Sequence, residues 1–381
     1  MPGAVAADTL GVAARVVAAT GPEHPADQVL RETFKALRDP ETVNRQAVTH
    51  AVFSYFRWRG WLDEGSPMLT RLRQALELAG TFIERPASFS DDKLVTRAVP
   101  VWIHEQVSVK AAWVRALQTE PKLWLRARKG QGKALGKKLG DCWTPGEAAL
   151  ADAVVYRGRE DLFHTSEFHA GEFEIQDVSS QAVGLICDPQ PGETWWDACA
   201  GEGGKLLHLS DLMGNKGLIW ASDRAEWRLR QLKRRAGRAK CFNYRAVLWD
   251  GGVKPPTKTR FDGVLVDAPC SGVGTWQRNP HARWTTTLQD VRELSNAQQQ
   301  LLMHAAPSVK SGGRLVYSVC TLTRAETVDV VAAFARQFPD FTPLECASPF
   351  NPAIRAAEHW FWPQDAGGNG MFVAAWRRKA E

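Results

Sequence analysis

The chain has 381 residues, 44% of them apolar, and a formal net charge of +6. That is enough polypeptide for two or three domains with buried cores, and no apolar run approaches a membrane span. The mild basic excess suits a polyanionic partner without naming one.

The first twenty residues, MPGAVAADTLGVAARVVAAT, lack a basic start ahead of an apolar core. They read as a small-residue helix rather than a secretory signal. Residues 8 to about 125 carry helical spacing throughout. VLRETFKALRDP (29–40) is expected to stop at Pro40, and a longer helix follows over 41–62. A third spans 66–80, ending at Gly80, and 101–118 continues the series. An extended run at 122–130 leads into KGQGKALGKKLG (129–140), either a solvated helix or loop, or a phosphate-facing surface. GEFEIQDVSSQAVGLI (171–186) reads as turn, strand and helix.

From 193 the pattern alternates between strand and helix. Strands are expected in TWWDAC (194–199), GLIWASD (217–223), KCFNYRAVLWD (240–250), FDGVLVDAPC (261–270), GGRLVYSVC (312–320) and GMFVAAWRR (370–378). Helices are expected at 206–213, 224–238 and 327–338. The layout divides into a helical domain over 1–120, a small connecting subdomain over 121–185 and an α/β domain over 186–381. In open parallel sheets ligands lie beyond the carboxyl ends of the strands. Asp197, Asp223, Asp267, Cys270 and Cys320 all fall at such ends.

DACAGEGGKLLHLSD (197–211) is a glycine-rich turn between strand and helix. A phosphate-binding P-loop does not fit, because Lys205 precedes Leu206 and Cys199 stands in the first glycine's place. A dinucleotide fingerprint fits no better. Asp223, one strand later, is placed either to hold ribose hydroxyls or to cap a helix. Glycine loop and acid together favour an adenosyl ligand, and S-adenosylmethionine suits a Rossmann-like domain with no phosphate motif.

The seven cysteines are odd in number and widely spaced, which argues for reduced thiols in an intracellular protein and against a zinc knuckle. Cys270 and Cys320 each end a strand, so the two could face one cleft. Either alone could be an ordinary buried thiol. A disulfide between them is the less favoured reading.

These stretches resemble the RNA cytosine-5 methyltransferases of the bacterial Sun and eukaryotic Nop2/NSun type. The family pattern Asp-Ala-Pro-Cys-Ser-Gly-x-Gly-Thr is complete at 267–275, and RNPHARW (278–284) matches its continuation. YSVCT (317–321) resembles the second cysteine motif, and Glu326 stands where the family carries a glutamate. FEIQDVSSQ (173–181) and FWPQDAGGNGMFVA (361–374) resemble the lead-in and the closing motif. The helical domain resembles the NusB-like domain of the bacterial ribosomal RNA members. There are departures: Gly201-Glu202 replace Ala-Pro, Leu206 replaces Thr or Ser, Val319 and Thr321 flank Cys320, and Gln364 replaces a histidine.

The resemblance implies a Rossmann-like S-adenosylmethionine-dependent methyltransferase acting at C5 of a cytosine in RNA, 16S ribosomal RNA first. Cys320 would be the nucleophile toward C6, Cys270 would assist release, and Asp267 would hold the cytosine amino group and N3. Lys205 would anchor Asp267 or the cofactor carboxylate. The cofactor would lie against Cys199, Ala200, Gly201, Glu202, Gly203, Gly204, Lys205, Asp223, Arg228, Asp250 and Asp267. Arg278, Asn279, Arg283 and Trp284 are candidates for holding phosphates or the flipped nucleotide. The basic run RLRQLKRRAGRAK (228–240) is a candidate for RNA-backbone contact.

A monomer working in the cytoplasm on RNA is expected, with no metal and no membrane. The alternatives are a transfer RNA cytosine-5 enzyme, and an assembly factor that binds RNA with weak or no catalysis. A methyltransferase for proteins or small molecules would need no paired cysteines. A DNA cytosine enzyme normally keeps its cysteine in the fourth-strand motif alone.

Overall fold

The computed structural model describes residues 7–36 and 43–380, so Leu37 and Pro40, in the expected second helix, lie outside the described residues. The chain forms two compact units. One is the described chain up to Pro121 together with Gly272–Asp290; the other is Lys122–Ser271 with the described chain from Val291 onward.

The first unit is a helical bundle of α1 (Ala7–Ala19), α2 (Ala26–Ala36), α3 (Arg45–Trp58), α4 (Met68–Glu84), α5 (Asp91–Arg97) and α6 (Ala111–Leu117). Asn44 sets the start of α3. Its backbone is extended and its side chain accepts the Ala47 amide at 3.0 Å, which satisfies a donor the helix leaves open. The helix therefore starts later than residue 41. α4 continues past Gly80 to Glu84, since Phe82 gains a buried place one turn further on. Residues 101–118 are not one helix. A 3-10 turn at Val101–Glu105 and α6 are separated by a stretch holding Val107 and Val109, whose β-branched side chains favour extended backbone.

The segment Gly272–Asp290 supplies part of this unit's core. Trp276 is fully buried and stacks on Trp113 at 6.2 Å with planes 15° apart.

In the second unit a small antiparallel sheet comes first, from β1 (Leu123–Ala127), β2 (Cys142–Trp143), β3 (Ala153–Tyr156) and β4 (Phe173–Ile175), ordered β2-β3-β1-β4. The Lys-Gly run forms α7 (Gly132–Leu139) against it, burying Leu135 and leaving its lysines at the surface. α8 (Val178–Cys187) leads into the larger sheet of β5 (Thr194–Asp197), β6 (Leu218–Asp223), β7 (Tyr244–Leu248), β8 (Phe261–Asp267) and β9 (Val309–Val319). These five are parallel. Helices α9 (Gly204–Leu212), α10 (Glu226–Arg238), α11 (Leu288–Ala305) and α12 (Val328–Gln337) follow β5, β6, β8 and β9, while β7 runs to β8 without one. The chain ends with β10 (Phe341–Pro343), β11 (Cys346–Ser348), β12 (Asn351–Ala356), β13 (Glu358–Phe361) and β14 (Met371–Arg378). The order is β10-β14-β9-β8-β5-β6-β7, with β13 also pairing β14 and β14 antiparallel to β9. β5 is the middle of the five parallel strands and β7 is an edge.

Both faces of the parallel strands are covered, so they read as apolar runs rather than alternating ones. Trp195, Leu265 and Val316 pack to one side, and Trp196, Val264, Val266 and Tyr317 to the other. The lead-in and closing motifs are tied together at the sheet. Asp177 accepts the amide of Asn369 at 3.0 Å, and Trp124 donates to the Gly367 carbonyl at 2.8 Å.

Candidate active site

Register alone brings the two cysteine motifs together. β8 and β9 are parallel neighbours, with Asp267 opposite Ser318, and the Ser318 hydroxyl donates to Asp267 Oδ1 at 2.7 Å. Cys270 and Cys320 follow these positions on loops leaving the same sheet end. Their sulfurs lie 3.1 Å apart, well beyond a disulfide bond length, and all seven cysteines are free thiols.

A wholly buried carboxylate fixes both loops. Glu326 accepts the Ser271 amide at 2.8 Å and the Ser271 hydroxyl on the Cys270 side. On the Cys320 side it accepts the hydroxyls of Thr321 at 3.0 Å and Thr323 at 2.7 Å. Gln298, on α11, donates to Glu326 at 2.9 Å and to the Pro269 carbonyl at 2.9 Å. This accounts for Thr321, where the family's serine would supply the same hydroxyl. Val319 is buried in the core, opposite Phe372 of β14.

Beneath the thiols Lys205 donates to Asp267 Oδ2 at 2.7 Å. Burial opposes the charge on Lys205, but Asp267 outweighs it and the ammonium is held more firmly than in water. Cys320 adds to that preference. Asp197, at the end of β5, is 1% exposed and neither of its oxygens reaches hydrogen-bonding geometry with a donor. Burial pushes its carboxyl up to about 7, with Asp267 adding to the rise while Lys205 and the Cys199 amide oppose it. A buried carboxylate whose nearest donor, the Cys199 amide, falls short of full hydrogen-bonding geometry is costly. Its signal in the sequence is an acid at a strand end directly before a glycine loop.

The segment 199–205 runs from the turn after β5 into the first residues of α9. Gly201 has φ +53° and Gly203 φ +86°, so the alanine found in the family would be strained at 201. A Cβ at Gly203 would also stand 2.8 Å from Leu232 Cγ. Asp223 binds the loop directly, accepting the amides of Gly201 at 3.0 Å and Ala225 at 2.8 Å. Those bonds use one lone pair on each oxygen and leave others for a ligand. Leu206 is wholly buried in the core, and Glu202 is exposed. Burial, with Asp197 adding, pushes the Cys199 thiol well up, so it stays protonated. Arg228 is exposed, 3.9 Å from Asp223, and the exposed Asp250 accepts the Gly252 amide at 2.9 Å.

The nucleotide-holding candidates separate. Arg283 is not available to a ligand: it is 0% exposed and donates to the carbonyls of Ala98 and Leu117, each at 2.9 Å. A planar fork with several donors suits a core position where helix ends present carbonyls. Trp284 donates to the Phe56 carbonyl at 2.6 Å. Arg278 is exposed, and Asn279 has a buried oxygen with no hydrogen-bond partner. In the basic run, Arg235 and Arg238 turn inward to the buried Glu174, at 2.9 and 2.6 Å. The rest of the run faces outward.

Comparison with known proteins adds a lineage to this geometry. The family described as 16S rRNA methyltransferase RsmB/F matches residues 184–377. A probable ribosomal RNA small subunit methyltransferase B of Synechocystis sp. is 44% identical over 214 residues, covering 54% of this chain and 48% of that one. Its counterpart in Bacillus subtilis is 37% identical over 237 residues, covering 60% and 53%. The chain thus spans about half the length of these curated relatives. The crystal structure of PH0851 superposes with a TM-score of 0.78 over 98% of this chain and 100% of that one. At 22% identity it speaks for the fold alone.

Proposed function

The chain belongs to the 16S rRNA methyltransferase RsmB/F family, and from that premise we propose that it methylates C5 of a cytosine in small-subunit ribosomal RNA, using S-adenosylmethionine. The observation that carries this reading is the pair of thiols 3.1 Å apart above the Lys205–Asp267 ion pair.

C5 of cytosine is a poor nucleophile. The Cys320 thiolate bonds to C6, and the electron pair displaced from the C5–C6 double bond makes C5 nucleophilic. S-adenosylmethionine, when bound, supplies an electrophilic methyl group for C5. A base then takes the proton from C5, the double bond re-forms, and the Cys320–C6 bond breaks to return the thiolate. Cys270 acts at this release step, within contact distance of the departing sulfur. The Lys205 cation favours the thiolate form of Cys320. Asp267, fixed by Lys205 and Ser318, accepts a hydrogen bond from the cytosine amino group and stabilises the adduct.

The residues fit an adenosyl ligand with a cationic end. Asp197 offers a buried carboxylate with no fully formed hydrogen bond, and Asp223 retains acceptor positions for ribose hydroxyls. The loop 199–205 lies between them, and Arg228 and Asp250 flank its outer side. All these groups belong to one unit, so a single copy of the chain suffices, working in the cytoplasm where bacterial ribosomal RNA is made.

Bisulfite sequencing of total RNA from cells with and without the gene tests the reading. One protected cytosine in small-subunit ribosomal RNA should become convertible on deletion. Loss of a site in transfer RNA instead would redirect the substrate, and no lost site would remove the assignment.

A further inference from the structure

The outward side of α10 and the adjoining edge strand β7 combine two features that the catalytic site does not explain. The first is charge. Across residues 224–247 Glu226 is the sole acid, and it pairs with Arg230 at 3.2 Å. Lys233, Arg234, Lys240 and Arg245 are exposed. The second is aromatic surface. Phe242 is 76% exposed and Trp227 51%, though neither has a catalytic partner to reach.

A groove of about 610 Å³ joins the two features, lined by Trp220, Lys233, Phe242, Tyr244 and Arg245 among others. The Arg245 guanidinium lies 5.7 Å from the centre of the Trp220 ring. Charged side chains on an edge strand can be explained as protection against strand pairing. An exposed phenylalanine beside them cannot, because it makes an edge more adhesive.

Aromatic faces interleaved with cations are what an unpaired nucleic-acid strand requires, with rings for the bases and ammonium or guanidinium groups for the phosphates. We infer that the α10–β7 edge is a second RNA-contact surface, which binds a single-stranded segment flanking the target cytosine. The inference rests on RNA being the substrate. From β9, which leads into Cys320, to β7 is four strand spacings, roughly 19 Å at about 4.8 Å each. Phe242 stands at the amino end of β7, roughly 20 Å along the strand from the carboxyl end that the catalytic loops share, so an RNA segment joining pocket and groove runs down the outer side of this edge.

The test uses the full chain and a fluorescein-labelled oligouridylate, read by anisotropy and by ultraviolet crosslinking with peptide mapping. Phe242→Ala is expected to weaken binding about tenfold, the loss of one stacked base. Lys233→Glu with Arg245→Glu should weaken it further and lower the salt dependence by about two phosphate contacts. Crosslinks should fall on Phe242 or Tyr244. With whole ribosomal RNA as substrate, the same variants should raise KM and leave kcat unchanged.

Affinities within twofold of wild type, or crosslinks confined to other peptides, would overturn the inference. So would a dimer in light scattering that Arg245→Glu dissociates, since the edge would then belong to a second copy. Failure of methyl transfer with crosslinks still on Phe242 would remove the proposed reaction and leave this surface standing.

Discussion

Ser271 gives both its backbone amide and its hydroxyl to one carboxylate, that of Glu326. Because Thr321 and Thr323 bind the same group, the loops carrying the two thiols are held by a single buried anion. Glu326→Gln keeps the shape but turns an amide N–H₂ toward hydroxyl and amide donors. We expect a loss of about 2–4 kcal/mol in urea unfolding, with methyl transfer reduced more than tenfold and RNA affinity retained. A variant as stable and active as wild type would refute this role for Glu326.

Cys320→Ala should abolish methyl transfer from tritiated S-adenosylmethionine while RNA still binds, because only the attacking sulfur is removed. Normal turnover would take the nucleophile assignment away from Cys320.

Cys270→Ala, with Cys320 intact, should accumulate a covalent protein–RNA adduct, visible as a retarded band on a denaturing gel. The bond to C6 forms but its release is impaired. If no such band appears, the division of labour between the two thiols is wrong.

Asp197 predicts a pH-dependent stability. Its carboxyl, at 3.8 when unfolded, rises to about 7 in the fold, through burial first and Asp267 second. Below about pH 3 the acid is protonated in both states and costs little. As pH rises above this the unfolded chain gives up the proton first, so stability falls, and the full penalty is reached above about pH 7. Asp197→Asn carries no proton to lose. It should match wild type near pH 3 and melt at a distinctly higher temperature near pH 8. Equal pH profiles in thermal melts would contradict the burial of an uncompensated acid. Added S-adenosylmethionine should stabilise wild type more than the variant.

Arg283 carries a separate expectation. Arg283→Met leaves the carbonyls of Ala98 and Leu117 unpaired in the core, a cost of about 3 kcal/mol or more. Lysine cannot replace it, because one ammonium does not span both carbonyls. The first unit should lose its cooperative unfolding transition in calorimetry. Unchanged stability with a selective loss of RNA affinity would return Arg283 to the nucleotide-binding residues.

The catalytic half was legible because its strands are buried on both faces and end in chemically specific residues. TWWD, GLIWASD and FDGVLVD read as apolar runs closed by aspartate, and the structure places them as β5, β6 and β8. AVVY (153–156) was not legible: four buried residues in a small sheet carry no alternation that separates them from a helix segment. Helix α11 went unread although Gln298 on it holds Glu326. Arg283, in RNPHARW, reads as a candidate for holding phosphates or the flipped nucleotide, since no local pattern reveals carbonyls at Ala98 and Leu117. Asp197 reads from the sequence only as a strand end, and its lack of a fully formed hydrogen bond is a property of packing alone.

The Gly272–Asp290 segment has a consequence for the order of folding. Arg283 finds its partner at Leu117 across 166 residues of chain, so the first unit has high contact order despite being helical. On the ribosome its helices emerge early, yet their core stays open until Trp276 and Arg283 have been synthesised. The N-terminal helices therefore wait for most of the catalytic unit to be made before they can close. A cut after Pro121 releases a helical fragment lacking Trp276 and Arg283, and the two units cannot be produced separately by a single division of the chain.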